Sequence, residues 1–134
     1  MPVLKSEILP IQAETDVVQA RQAVRKVATE LAFRLVDQTK IITAASELAR
    51  NVLVHGKGGE MFLETLQEGQ RIGIRLKFED KGPGIPDIEM ALRDGFTTGS
   101  GLGLGLSGSK RLVNEFEIVS KVGEGTRVTI IKWK

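Results

Sequence analysis

The chain has 134 residues, with 41% hydrophobic and 27% charged positions, the size and composition of one folded domain rather than a disordered segment. Its 19 basic and 17 acidic residues leave a net charge of +2, and no Lys/Arg run concentrates it, so no nucleic-acid partner is expected. Cysteine is absent, which excludes disulfides, thiolate metal sites and cysteine nucleophiles. No apolar run is long enough to span a bilayer and the N-terminus does not read as a signal peptide, so the expected setting is cytoplasmic, with no membrane partner.

Residues 3–11 are short and partly apolar and read as a strand. Glu14, Thr15 and Asp16 then offer helix-capping chemistry. Val17, Val24, Val27, Ala28, Leu31 and Leu35 follow at helical steps, predicting one amphipathic helix to about Val36. A second helix is predicted over residues 39–54. Ile41, Ala45, Leu48, Ala49 and Val52 mark its buried side, and Gly56, Gly58 and Gly59 end it.

Two strands, residues 61–67 and 71–79, flank the turn at Glu68, Gly69 and Gln70. In the second, Ile72, Ile74, Leu76 and Phe78 alternate with Gly73, Arg75 and Lys77, the period of a sheet with one buried face. Residues 80–101 are rich in turn formers, with a short helical piece near 88–93. Residues 104–116 read as a helix. Residues 117–122 and 126–133 form a hairpin across Gly123, Glu124 and Gly125. The expected fold class is α+β: a two-layer sandwich with helices on one face of a mixed, mostly antiparallel sheet, as one domain over 1–134.

Three groups of residues carry candidate chemistry. Glu47, Asn51 and His55 stand four residues apart and share one side of the second helix. An Asn oxygen suits Mg²⁺, a hard cation that keeps phosphates and waters in its shell, and a Glu nearby can accept a proton from an attacking hydroxyl. The same spacing also fits an ordinary solvated stripe. His55, at the helix end, has no Cys or second His with which to share a metal. After the strand at 71–79, Asp80 precedes Gly82 and Gly84, where backbone can approach a ligand closely and the carboxylate can accept from an exocyclic amine. A plain Gly-Pro turn fits equally well.

The third group is the glycine-rich run from Gly99 to Gly108, just before a predicted helix. Exposed backbone amides at such a junction bind phosphate. Residues 103–108 fit G-x-G-x-x-G, but they follow a turn-rich stretch rather than a strand, so a dinucleotide fold is rejected. A P-loop is excluded because Ser109, not Lys, follows Gly108.

Taken in order, Glu47-x-x-x-Asn51, Asp80-x-Gly82-x-Gly84 and Gly101-Leu102-Gly103-Leu104 resemble the N, G1 and G2 boxes of the GHKL (Bergerat-fold) ATPases and kinases. Thr126, after Gly125, resembles a further contact of that family. The resemblance runs from about Thr39 to Trp133. It implies that ATP is the nucleotide and Mg²⁺ its metal. It implies Asn51 as the Mg²⁺ ligand, Asp80 on the adenine amino group, Gly82 and Gly84 shaping the base pocket, and Thr126 helping to fix the adenine. Gly99, Gly101, Leu102, Gly103, Leu104 and Gly105 would form the phosphate loop, residues 87–100 a lid, and Glu47 would be the general base.

Within the family the chain is similar to the small serine/threonine kinases of bacterial partner switching, and among them to the stressosome switch kinases. That likeness implies a STAS-domain antagonist or stressosome scaffold as substrate and a PP2C-type phosphatase as a downstream partner. An anti-sigma factor that sequesters a sigma factor is the alternative. Some anti-sigma kinases carry Arg where Gly99 stands, which leaves the γ-phosphate cation to Lys110 or Arg111.

Overall fold

The computed structural model describes residues 2–93 and 106–134. The phosphate-loop residues Gly99, Gly101, Leu102, Gly103, Leu104 and Gly105, and the later part of the expected lid, lie outside the described residues. The described elements run β1 (Val3–Ile11), α1 (Glu14–Glu30), α2 (Leu35–Val54), β2 (Gly59–Glu68), β3 (Arg71–Asp80), α3 (Ile88–Ala91), α4 (Leu106–Leu112), β4 (Glu115–Lys121) and β5 (Gly125–Trp133). The strands form one sheet in the order β1-β2-β3-β5-β4. Every pairing is antiparallel, so the expected mixed sheet contains no parallel pair among the described strands. None of the described helices is long and apolar enough to cross a membrane.

Period-two patterning builds the sheet's inner face. Ile74, Leu76 and Phe78 of β3 are buried together with Met61 and Leu63 of β2 and Val128 and Ile130 of β5. They join Val17, Ala20, Val24 and Ala28 of α1 and Ile41, Ala45, Leu48 and Ala49 of α2 in one apolar core. The opposite face holds a smaller cluster of Leu66, Ile131 and Trp133, and Arg71 lies 4.0 Å above the Trp133 ring. Gly69, at φ +61°, closes the tight β2–β3 turn.

Three boundaries depart from the sequence reading. Of the three capping candidates before α1, Asp16 does the work: its carboxylate accepts from the Gln12 and Ala13 amides at 2.9 and 3.1 Å. The helix then stops at Glu30 instead of continuing to Val36. The Ala32 amide donates to the Thr29 carbonyl and the Phe33 amide to the Ala28 carbonyl, with Ala32 at φ +61°. That is a Schellman termination with alanine where glycine is usual. Leu35, expected on the buried stripe, opens α2 instead and is 79% exposed. The later helix ends at Leu112 rather than Phe116. Asn114 turns the chain there: its amide donates to the Ile131 carbonyl and its side chain accepts from the Trp133 amide at 2.8 Å. Phe116 consequently enters β4 and packs on the core from the sheet.

Candidate functional site

Strand β3 is the middle strand of the sheet, and Asp80 is its last residue, paired with Gly59 on one flank and Thr126 on the other. The C-terminal half of α2 brings Asn51 and His55 to the same end. The chain then leaves α2 through Gly56, Lys57 at φ +60° and Gly58 at φ +105°. The Gly56 amide returns to the Asn51 carbonyl at 3.0 Å and the Gly58 amide to the Val52 carbonyl at 2.8 Å.

Three glycines, from three different segments, let backbone close in around Asp80. A β-carbon on Gly56 would overlap the Asp80 side chain, and one on Gly125 would overlap the Asp80 carbonyl. A β-carbon on Gly82 would stand 2.7 Å from the Gly56 α-carbon. The Gly82 amide donates to Asp80 Oδ1 at 2.9 Å. Burial pushes the Asp80 carboxyl above its usual value, opposed by the Gly82 and Thr126 amides and by an electrostatic contribution from the nearby His55. Desolvation of an anion outweighs these partners, as expected for a carboxylate at the end of an apolar cleft.

The cleft above Asp80 has apolar walls from Leu48, Val52, Phe78, Ile85, Leu106 and Val128. Its polar groups are few: Asn51, His55, Asp80 and Thr126. Such a slot, apolar on its sides with a lone carboxylate at one end, suits a flat heteroaromatic ring bearing an amino group. Ser120 holds one wall in place. Its hydroxyl accepts from the Ile85 amide at 2.8 Å, lies 2.7 Å from Thr126 Oγ1 and donates to the Gly125 carbonyl at 3.2 Å. It thereby ties residues 84–85 to the β4–β5 hairpin, where Ser120 faces Thr126 across the ladder.

Asn51, Asp80, Gly84 and Thr126, chosen from the sequence, thus line one cleft, and Gly82 lies beside them. Glu47 is exposed one turn before Asn51 on α2 and is not among the lining residues. Lys110 and Arg111 are exposed in the last turn of α4, also outside the lining. The sequence reading did not assign His55, Gly56 or Ser120 to the site. Ser120 had no signal in the sequence, because the predicted hairpin sets Val122 opposite Thr126, whereas the observed register sets Ser120 there.

A metal would find few ligands here. Among the described residues no three His, Cys, Asp or Glu side chains converge, and the side-chain oxygens lining the cleft are those of Asn51, Asp80 and Thr126. That fits a cation carried in mainly by phosphates and water.

Residues 36–134 match the model of the histidine kinase-, DNA gyrase B- and HSP90-like ATPases. The serine/threonine-protein kinase RsbT of Bacillus subtilis is 49% identical over 123 residues, covering 92% of each chain. An anti-sigma F factor of Anoxybacillus flavithermus is 32% identical over 120 residues, covering 84% of this chain and 81% of its own. Among solved structures, the RsbU and RsbW domains of a Mycobacterium tuberculosis protein superpose with a TM-score of 0.65 at 20% identity. All of this chain is covered there, and it spans 33% of that longer one. The chain therefore belongs to the histidine kinase-, DNA gyrase B- and HSP90-like ATPase family, and within it is an ATP-using serine/threonine protein kinase.

Proposed function

We propose that residues 1–134 act as a single kinase domain that uses MgATP to phosphorylate a Ser or Thr on a STAS-domain antagonist or scaffold of a cytoplasmic stressosome. Release from that partner then frees the chain to activate a PP2C-type phosphatase. The observation that carries the nucleotide assignment is the convergence of Asn51, Asp80 and Thr126 on one apolar slot.

In this reading Asp80 accepts from the adenine amino group while Thr126 fixes the ring's edge. Gly82 and Gly84 let backbone lie against the base. Asn51 holds Mg²⁺, which supplies charge neutralisation at the phosphates. Gly99, Gly101, Leu102, Gly103, Leu104 and Gly105 surround the phosphate chain. Glu47, exposed one turn before Asn51 on α2, takes the proton from the substrate hydroxyl as its oxygen attacks the γ-phosphorus and ADP leaves. Positioning and charge neutralisation supply most of the acceleration in such transfers. Exposure suits a base that must meet a protein substrate.

The test combines the chain, MgATP and a STAS-domain partner and follows phosphate transfer. Transfer that survives Glu47→Ala at full rate removes the base assignment, and full-strength ATP binding by Asp80→Asn removes the adenine assignment. The similarity to an anti-sigma F factor favours a second reading, sequestration of a sigma factor. Absence of sigma binding at micromolar concentration removes it.

A further inference from the structure

Three polar residues stand in one row across the end of the sheet. Asp80 of β3 faces Thr126 of β5, and Thr126 faces Ser120 of β4. Directly opposed residues of an antiparallel pair share a face, so the row continues the helix-side face beyond Phe78, Val128 and Ile118. Asp80 and Thr126 line the cleft, whereas Ser120 stands behind Thr126 and does not.

The direction of each hydrogen bond in this row follows from counting protons. A hydroxyl has one proton to give and two lone pairs with which to accept. Ser120 meets the Ile85 amide at 2.8 Å, the Gly125 carbonyl at 3.2 Å and the Thr126 hydroxyl at 2.7 Å. The amide only donates, so it occupies one lone pair of Ser120. The carbonyl only accepts, so it takes the Ser120 proton. A single lone pair then remains on Ser120, and Thr126 fills it with its own proton. No other assignment makes all three contacts hydrogen bonds at once, and an unmade bond between half-buried groups costs free energy.

Thr126 is left with lone pairs only to offer the cleft, and the Asp80 carboxylate is an acceptor too. Given the adenine reading proposed above, we infer that Ser120 is a positioning residue. By taking the Thr126 proton it makes that hydroxyl an acceptor, so that Asp80 and Thr126 together select a purine whose six-position carries an amino group over one that carries an oxo group. An amino group brings two N–H donors to the two acceptors. An oxo group sets its own lone pairs against them.

Calorimetric titration of the full chain with the Mg²⁺ salts of ATP and of its six-oxo analogue, ITP, tests this. The wild type should prefer ATP. Ser120→Ala frees the Thr126 proton to donate to the oxo group, so the preference should narrow about tenfold. Ser120→Thr keeps a hydroxyl and should keep the preference. On a Thr126→Val background, Ser120→Ala should leave the ratio unchanged. A wall that was merely loosened would weaken both nucleotides alike. Two analogues fix the polarity independently, even where a Ser120 variant does not fold. Thr126→Val should weaken ATP and 1-deaza-ATP equally, since both carry the amino group, and leave the affinity for purine riboside triphosphate, which lacks it, unchanged. A wild type that binds ATP and ITP equally, a ratio unmoved by Ser120→Ala, or a Thr126→Val loss that persists with purine riboside triphosphate and vanishes with 1-deaza-ATP overturns the role of Ser120. Full-strength ATP binding by Asp80→Asn, or no ATP binding by the wild type, instead removes the adenine reading and this role with it.

Discussion

The Asp80 carboxylate lies against the bare α-carbon of Gly56, so close that a β-carbon there would overlap its Cβ, Cγ and Oδ2 atoms. One atom at position 56 therefore controls where the carboxylate proposed to read the base points. Gly56→Ala should displace Asp80 while leaving the core intact. A lost hydrogen bond to a charged group is worth about 1.5–3 kcal/mol, so ATP affinity is expected to fall roughly ten- to a hundredfold. Titration calorimetry with MgATP checks this, and unchanged affinity would show that the side chain relocates freely.

Asp80 carries a cost when no ligand is bound. Its folded-state pKa is raised by burial, so protonation favours the native state. The associated stability is fully present below the unfolded carboxylate pKa and is lost as pH rises through the raised folded value. Asp80→Asn removes an ionised group from the cleft. The unliganded variant should melt above the wild type at neutral pH, with the difference shrinking as pH drops toward the unfolded carboxylate range, while ATP binding is lost. Melting curves across pH, with and without nucleotide, measure both. A variant that melts lower at neutral pH contradicts the assignment.

Ala32 occupies a left-handed position at the end of α1. A non-glycine residue there costs about 1 kcal/mol or more. Ala32→Gly should raise the unfolding free energy by roughly that amount, read as a higher denaturant midpoint with an unchanged slope.

That alanine also explains a boundary the sequence hid. With no glycine or proline between Glu30 and Leu35, the apolar periodicity of α1 runs without interruption into α2. The α4–β4 junction is obscured in a similar way: Phe116 stands four residues after Leu112, as in a helix, and two before Ile118, as in a strand. By contrast, β3 was legible because its alternation is clean and a glycine turn precedes it. Asn51, Asp80 and Thr126 were legible as a set because each lies within a short motif. Gly56 was not, since its role depends on Asp80, remote in sequence but adjacent in space, and helix-end glycine is common for other reasons.

Lys132 is 8% exposed, and its ammonium lies 3.4 Å from Asp37, which also pairs with Arg34 at 3.1 Å. Burial alone would raise the Asp37 pKa, but the Arg34 hydrogen bond and the charges of Lys132 and Arg34 outweigh it and hold the carboxyl below its usual value. Its contribution is therefore present above the unfolded carboxylate pKa and lost as pH falls through the lower folded one. Asp37→Asn should leave Lys132 without its counter-charge, lowering stability at neutral pH on the order of 1 kcal/mol and narrowing the gap to wild type in acid. Chemical denaturation at neutral and acidic pH tests the sign.

Ser120→Ala removes the acceptor of the Ile85 amide and the neighbour of Thr126 Oγ1. The expected loss is about 1–2 kcal/mol of stability, with a weaker grip on adenine because residues 84–85 are no longer tied to the hairpin. A variant with wild-type melting and ATP affinity would assign that wall's position to packing alone.

Among the described strands, Asp80 ends the one at the centre of the sheet, whereas β1 and β4 each have a single neighbour. Amides bonded within a central strand tend to exchange with deuterium through global opening, while edges and loop ends open locally. Much of β3 should accordingly rank among the slowest-exchanging amides of the chain, ahead of β1 and β4. The carboxylate proposed to read the base is then anchored to the last part of the molecule to open, and heat should abolish nucleotide binding together with the whole fold rather than ahead of it.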